Sequence, residues 1–384
     1  MKIAMSSKVY NKKGGISRYV AELAERFADE HEIHVFSSNW EDVGNDNIIF
    51  HKTPLPPGPL LVGAGTYFLE MSALSKLMRR KFDIIHTEGL ESVWLDVVTA
   101  HSIHRAALEV MKNIGELNPL GTTDLFLLNV EKLNYQKYKN YRKIICVSNS
   151  SKQELMKYYK VPSEDIEVIP NGVNPDEFKP LNKLSLFPLR KKYDIGEGDA
   201  ILLIVATEFY RKGMVELINA VDMLVNKRGH RDVKLLIVGK AQVEGQRKGD
   251  SYYRKLAQKL GVSKNVIFTG RVADLNAHYN LGDIFVFPTK YEAFGIQTLE
   301  AMSCGLPVIN SKIGAGELIT DGHDGIHFED PNNVEEIADK IEMLLIDDKT
   351  RNNLGKNARK TAMKYSWDSI ASRTMKIYEE ILGD

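Results

Sequence analysis

The sequence has only two cysteines in 384 residues, Cys146 and Cys304. That excludes a disulfide scaffold and a cysteine-rich zinc site, and it fits a reducing cytosol. Charge of one sign is missing too: 51 Lys+Arg stand against 51 Asp+Glu. A dedicated nucleic-acid binder usually carries a strongly basic balance, so no nucleic-acid partner is expected. No apolar run approaches the ~20 residues that a membrane span needs. The opening Met1-Lys2-Ile3-Ala4-Met5 enters an apolar strand at once, without a signal-peptide pattern, and a cytoplasmic chain is expected. The first glycine turn lacks the Gly-x-Gly-x-x-Gly of dinucleotide-binding oxidoreductases, and no P-loop occurs. No Asp-x-Asp motif stands where it could hold a metal. Asp321-Gly322-His323-Asp324 has the wrong spacing and reads as a turn.

What remains is ordinary globular material, 43% hydrophobic and 27% charged, enough for two cores. Short β-branched runs alternate with longer helical patterns. In the first half, strands are expected at 2–5, 33–36, 47–50, 83–86, 95–100, 143–148 and 166–169. Several are apolar without alternation, as in strands buried on both faces of a parallel sheet. Between the first two lies Gly14-Gly15, after which Ile16, Val20, Leu23, Ala24 and Phe27 recur at helical spacing. This opens a βαβ unit. A loop follows at Pro170-Asn171-Gly172-Val173-Asn174-Pro175. The alternation then restarts, with strands at 200–206, 233–239, 265–269, 283–287, 307–310 and 325–328. Two runs of βα units mean an α/β protein of two doubly wound, Rossmann-like parallel-sheet domains. The expected division is a first domain over 1–170, joined by a last helix over 366–384, a linker over 171–199, and a second domain over 200–365. Such sheets bind ligands outside the carboxyl ends of their strands, here in a cleft between the two. Pro54–Gly65 and Asn113–Thr123 read as long loops.

The densest stretch runs from Pro288 to Pro307. A strand ends at Pro288, a loop carries Glu292, and a helix begins near Phe294 or Gly295, with Glu300 inside it. Gly295 allows close approach to the backbone, and the free N–H groups of the helix start suit a phosphate or sugar hydroxyls. Taken alone, the pattern also describes a capped helix with a solvated glutamate.

The stretch resembles the Glu-x7-Glu signature of retaining nucleotide-sugar glycosyltransferases of the GT-B fold, family 4, and the resemblance covers essentially the whole chain in order. Gly14-Gly15 resembles the family's N-terminal glycine loop and Val147-Ser148-Asn149-Ser150 its strand end. Ile169-Pro170-Asn171-Gly172-Val173-Asn174 resembles its linker, Arg211-Lys212-Gly213 its phosphate-binding motif, and Thr269-Gly270-Arg271-Val272 its base-binding loop. Glu208–Gly213 and Glu292–Ile296 look most like the lipopolysaccharide core glucosyltransferases. The resemblance implies that Glu300 holds ribose hydroxyls and that Glu292 holds donor-sugar hydroxyls. The backbone around Phe294, Gly295 and Ile296 would reach the sugar and diphosphate. Arg211 and Lys212 would neutralise the diphosphate, Arg271 and Val272 would lie at the base, and Gly14-Gly15 would close over the donor. His101 matches the family's active-site histidine, with His104 a near neighbour; His86 reads as structural. Two cations and a helix N-terminus can stabilise a departing diphosphate without a metal, so no cofactor and no metal are expected.

The function so implied is transfer of a hexose from a nucleotide sugar, a UDP-sugar and UDP-glucose by preference, to a glycan or lipid-linked acceptor in cell-surface polysaccharide synthesis. A nucleotide-sugar epimerase or hydrolase of the same architecture, and a non-catalytic nucleotide-sugar-binding regulator, are the alternatives. Glu131–Lys143 carries five basic residues against Glu131, with Tyr135, Tyr138 and Tyr141 every third position. One reading is a face for peripheral contact with the inner surface of the membrane. The favoured one is an amphipathic helix whose tyrosines pack while its lysines are solvated. Lys76, Arg79, Arg80 and Lys81 carry the same ambiguity.

Overall fold

In the computed structural model, residues 1–54, 60–89, 91–113, 115, 120–241 and 249–383 are described. The chain divides into two compact units, one of Met1–Gly172 with Trp367–Asp384 and one of Val173–Ser366.

The first unit is a parallel sheet of β1 (Lys2–Ser6), β2 (Glu32–Ser37), β3 (Ile49–Lys52), β4 (Ile84–Glu88), β5 (Val97–Ala100), β6 (Lys143–Cys146) and β7 (Ile166–Val168). Their spatial order is β3-β2-β1-β4-β5-β6-β7. The crossovers carry α1 (Gly15–Phe27), α2 (Leu60–Met78), α3 (His104–Asn113), α4 (Thr122–Lys132) and α5 (Asn149–Tyr159). Helix α1 buries Val20, Leu23, Ala24 and Phe27 as its spacing requires, but Ile16 in its first turn is exposed. The long loop expected over 54–65 is corrected in part: α2 already begins at Leu60, and 55–59 lie outside the described residues. The second expected loop shrinks likewise, since Asn113 ends α3 and Thr122 opens α4; residues 114 and 116–119 lie outside the described residues.

The second unit stacks β8 (Ala200–Val205), β9 (Val233–Val238), β10 (Val266–Gly270), β11 (Ile284–Phe287), β12 (Val308–Ser311) and β13 (Ile326–Phe328) in the order β10-β9-β8-β11-β12-β13, all parallel. Its helices are α6 (Phe187–Lys192), α7 (Met214–Asp222), α8 (Asp250–Lys259), α9 (Leu275–Leu281), α10 (Ile296–Ser303), α11 (Val334–Ile346) and α12 (Asp348–Ala362). Central strands β8 and β9 are almost wholly aliphatic because helices cover both faces. Residues 173–199, expected as a linker, are packed onto this unit. Phe178 is buried, Lys179 N–H donates to Asn276 at 3.0 Å, and Leu181 N–H donates to Asn280 at 2.7 Å.

The last helix, α13 (Trp367–Gly383), belongs to the first unit. Trp367 and Tyr378 are buried there. Tyr19 meets Trp367 edge-on at 5.9 Å, and Phe27 meets Tyr378 at 5.7 Å. Gly172 has no room for a side chain, since a Cβ would come within 2.7 Å of the Trp367 ring. No helix among the described residues is long and apolar enough to cross a membrane.

Candidate functional site

In each unit the strand order changes direction at one place, between β1 and β4 and between β8 and β11. That is where the connections leave the two neighbouring strand ends toward opposite sides and open a crevice. In the second unit, the loop after β8 carries Arg211 and Lys212, and the loop after β11 carries Glu292.

These two loops are tied together. Lys290 N–H donates to the Arg211 carbonyl at 2.9 Å, and the Arg211 guanidinium donates to the Tyr291 carbonyl at 2.5 Å. Gly213, at φ 71°, caps the N-terminus of α7 with its α-carbon against the other loop: a Cβ there would lie 2.2 Å from the Pro288 carbonyl oxygen. The side chains follow. Lys212 forms an ion pair with Glu292, Arg211 forms one with Glu208, and Arg211 stands 3.7 Å from Glu292. The Lys212 ammonium also lies over the Phe287 ring at 4.8 Å. Burial, reinforced by neighbouring Arg211, pushes Lys212 well below the usual lysine range, while Glu208 pulls it back. Lys290 pairs with Glu216 at 2.8 Å and lies over Tyr210.

Gly295, at φ 78°, caps α10, so the first N–H groups of that helix open beside Glu292. Glu300 is not the solvated glutamate that the bare pattern allows. It is buried and accepts a hydrogen bond from Tyr279 at 2.7 Å. Phe294 is buried, and its carbonyl oxygen accepts from the Ala315 N–H. Arg271 is exposed and Val272 half-buried, just past β10 at the sheet edge. The structure thus joins Arg211, Lys212 and Glu292 in one cluster and sets Glu300 in the adjoining helix, with Arg271 and Val272 apart on the edge strand.

His101, Gly14 and Gly15 belong to the first unit. Gly14 caps α1 and both glycines are exposed. His101 lies one residue past β5, with its Nε2 2.7 Å from Glu88 Oε2, and burial pushes it down to about 4. His104 is placed elsewhere, in a pair with Asp124 at 3.1 Å. His86 is enclosed between Tyr378 and Thr99, as a structural histidine would be. Sequence reasoning missed Glu88, buried at the end of β4, and Glu91, buried three residues past it; for Glu88 the spacing His86-x-Glu88 was the available signal, because it sets His86 and Glu88 on one strand face. Asp321–Asp324 is a turn: Gly322 has φ 73°, and buried Asp324 accepts from Thr320 N–H and Thr361. Among the described residues no group of three His, Cys, Asp or Glu is placed to hold a metal ion.

Two family models match in the order of the two units. Residues 13–177 match Glycosyltransferase Family 4 and residues 187–361 match Glycosyl transferases group 1. The chain belongs to this glycosyltransferase family. A glycosyltransferase of Methanocaldococcus jannaschii is 29% identical over 100% of both chains. The GDP-mannose-dependent α-(1-6)-phosphatidylinositol monomannoside mannosyltransferase of Mycobacterium tuberculosis is 26% identical over 94% of each. Among solved structures, WaaG, a glycosyltransferase involved in lipopolysaccharide biosynthesis, has a TM-score of 0.78 at 22% identity, covering 98% of this chain and 99% of that one. The fold of this glycosyltransferase is therefore GT-B, two parallel-sheet α/β domains.

Proposed function

We propose that this glycosyltransferase moves a hexose from a nucleotide sugar to a glycan or lipid-linked acceptor with retention of anomeric configuration and without a metal. The observation that carries the reading is the Arg211–Lys212–Glu292 cluster at the carboxyl ends of β8 and β11, beside the N-terminus of α10. In the transfer, the acceptor's hydroxyl oxygen bonds to the sugar's anomeric carbon as the bond from that carbon to the diphosphate oxygen breaks; the electron pair of the broken bond stays on the diphosphate, which takes up the hydroxyl proton. Arg211, Lys212 and the helix N-terminus stand where that charge grows. A diphosphate drawing on Lys212 releases Glu292 to the sugar hydroxyls. Glu300, oriented by Tyr279, takes the ribose; the backbone at Phe294, Gly295 and Ile296 meets the sugar and diphosphate; Arg271 and Val272 meet the base. Gly14-Gly15 and His101 act from the first unit, His101 on the donor sugar.

The donor is a UDP-sugar, with UDP-glucose preferred on the likeness of Glu208–Gly213 and Glu292–Ile296 to the lipopolysaccharide core glucosyltransferases. The GDP-mannose dependence of the mycobacterial relative supports GDP-mannose as the second reading. A thermal-shift panel of UDP-glucose, GDP-mannose and ADP-glucose separates them, because a ligand bound only by the folded chain raises its melting temperature. Stabilisation by GDP-mannose alone overturns the first reading. Proton NMR of the product tests retention, a β-linked product from an α-linked donor refuting it. Transfer should persist in excess EDTA; its abolition would remove the metal-free claim.

The acceptor reading includes peripheral contact with the cytoplasmic face of a membrane. Leu69 and Leu77 of α2 are 69% and 77% exposed, beside Lys76, Arg79, Arg80 and Lys81. Leu125 and Tyr138 are exposed near Lys132, Lys137 and Lys139, whereas Tyr135 packs inward on Tyr159. Co-flotation with anionic but not neutral vesicles is the expected result.

A further inference from the structure

Four polar side chains of the first unit share one face of two neighbouring strands. His86 and Glu88 are two residues apart on β4; Thr99, on β5, and His101 are two apart as well. The two-residue period of a strand turns all four the same way, and register sets Glu88 beside Thr99. His86 Nδ1 lies 2.5 Å from the Tyr378 hydroxyl of α13, and His86 Nε2 lies 2.7 Å from Thr99 Oγ1. His101 Nε2 lies 2.7 Å from Glu88 Oε2, and the Tyr19 ring meets the imidazole edge-on at 4.9 Å.

Glu88 is the costly member of this patch. Its side chain has no exposed surface, and its charged partners among the described residues are imidazoles alone, His101 and, at 3.7 Å, His86. A carboxyl in such a place loses its hydration with no lysine or arginine to offset the loss, and an aliphatic residue would fill the same space without that cost. What Glu88 does that leucine cannot is engage one particular nitrogen of His101. A neutral imidazole has two tautomers and two ring orientations, and the hydrogen bond at one nitrogen decides what the other offers. Nδ1 of His101 has no hydrogen-bond partner among the described residues.

We propose that Glu88 is a positioning residue for His101, locking its ring orientation and tautomer through Nε2 so that Nδ1 is presented to the ligand. The proposal rests on the reading of His101 as a group that meets the donor sugar. Burial acts on both members of the pair: it holds the Glu88 carboxyl well above its usual range and pushes His101 down to about 4.

Long-range proton–nitrogen NMR spectra of the full chain read the tautomer directly, with the His101 signal assigned by its loss in His101→Gln. The wild type should show one tautomer. Glu88→Gln and Glu88→Leu should show shifts averaged between the two. In parallel, release of UDP from UDP-glucose in water should slow in both Glu88 variants by roughly ten- to a hundredfold, the scale expected when a reacting group is slightly misplaced. KM should change far less than kcat, since ground-state binding is not what is lost. Retention of a single tautomer in both variants overturns the proposal, and so does wild-type turnover in Glu88→Gln when His101→Gln is impaired. If His101→Gln turns over like the wild type, the reading of His101 fails, and the spectra still decide the role of Glu88.

Discussion

Lys212 is buried against Glu292 and Phe287, where a lysine is costly unless something anionic uses it. A charge-assisted hydrogen bond to phosphate is worth on the order of 1.5–3 kcal/mol. Lys212→Ala should therefore weaken UDP roughly ten- to a hundredfold and leave uridine nearly unchanged. Glu300→Ala should weaken both if its carboxylate holds the ribose, as proposed. Calorimetry with UDP and uridine on the two variants makes the comparison; equal losses for both ligands in Lys212→Ala would contradict the phosphate role. His86 gives a pH prediction at the same scale. Burial holds it at about 3, below the ordinary value of 6.5, so the folded chain binds one proton fewer than the unfolded chain between those limits. Its contribution is complete above 6.5 and is lost as pH falls toward 3, by about 1.4 kcal/mol per pH unit. Buried Glu91, raised to about 7, has the opposite sign: its contribution is complete below the ordinary carboxyl range and fades as pH rises through 7. Urea midpoints between pH 6.5 and 4.5 should fall less steeply in His86→Gln than in the wild type.

At the scale of elements, the site is a cross-braced pair of strand-end loops rather than a set of separate motifs. Gly213 and Gly261 separate the cost of backbone conformation from the cost of that bracing. Both have φ above 70°, but nothing lies within 4 Å of a Cβ at Gly261, whereas one at Gly213 would run into the Pro288 carbonyl. Gly261→Ala should cost about 1 kcal/mol from left-handed strain alone. Gly213→Ala should cost about twice that or more, and it should also weaken UDP by prying the two loops apart. Urea unfolding and calorimetry check the pair; equal costs would mean that the loops do not depend on this contact. The element boundaries show how much was legible. The strands among the described residues fall within a few residues of where β-branched runs placed them, most readily the central ones, because a strand buried on both faces must be apolar throughout. The start of α2 was not legible, since the prolines and Gly58 just before it, with Gly63 and Gly65 inside it, made its opening read as loop.

At the scale of the whole molecule, the residues proposed to hold the nucleotide sugar, Arg211, Lys212, Arg271, Glu292 and Glu300, all belong to the second unit, and His101 with Gly14-Gly15 to the first. UDP carries the nucleoside and diphosphate without the sugar, so hydrogen-exchange protection on adding UDP should concentrate between residues 200 and 365. Protection mainly in residues 30–170 would reverse the assignment of donor and acceptor. The last helix returns to the first unit, and its buried Trp367, Ile370, Ile377 and Tyr378 are part of that unit's core. Ending the chain at Ser366 should therefore destabilise the first unit by several kcal/mol, read as an earlier, separate unfolding step in a urea titration, because it removes large apolar side chains at roughly 2–5 kcal/mol each.

The sequence by itself determined the two doubly wound sheets, the order of their strands along the chain and the family motifs, because apolar periodicity, glycine turns and motif spacing are local properties of a chain. The motifs that carry Arg211, Lys212, Glu292 and Glu300 could be picked out for the same reason. Only the tertiary structure decided which side chains meet. It put Lys212 on Glu292, Tyr279 on Glu300, Asp124 on His104 and Glu88 on His101, pairings separated by 13 to 80 positions in sequence. Glu131 shows why such partners stay hidden. It read as the single acid in a basic stretch, yet it is buried and accepts hydrogen bonds from the first N–H groups of α3, at His104 and Arg105. A carboxylate's pattern along the chain says nothing of what faces it, since that is fixed by strand register and helix packing, which only the folded sheet supplies.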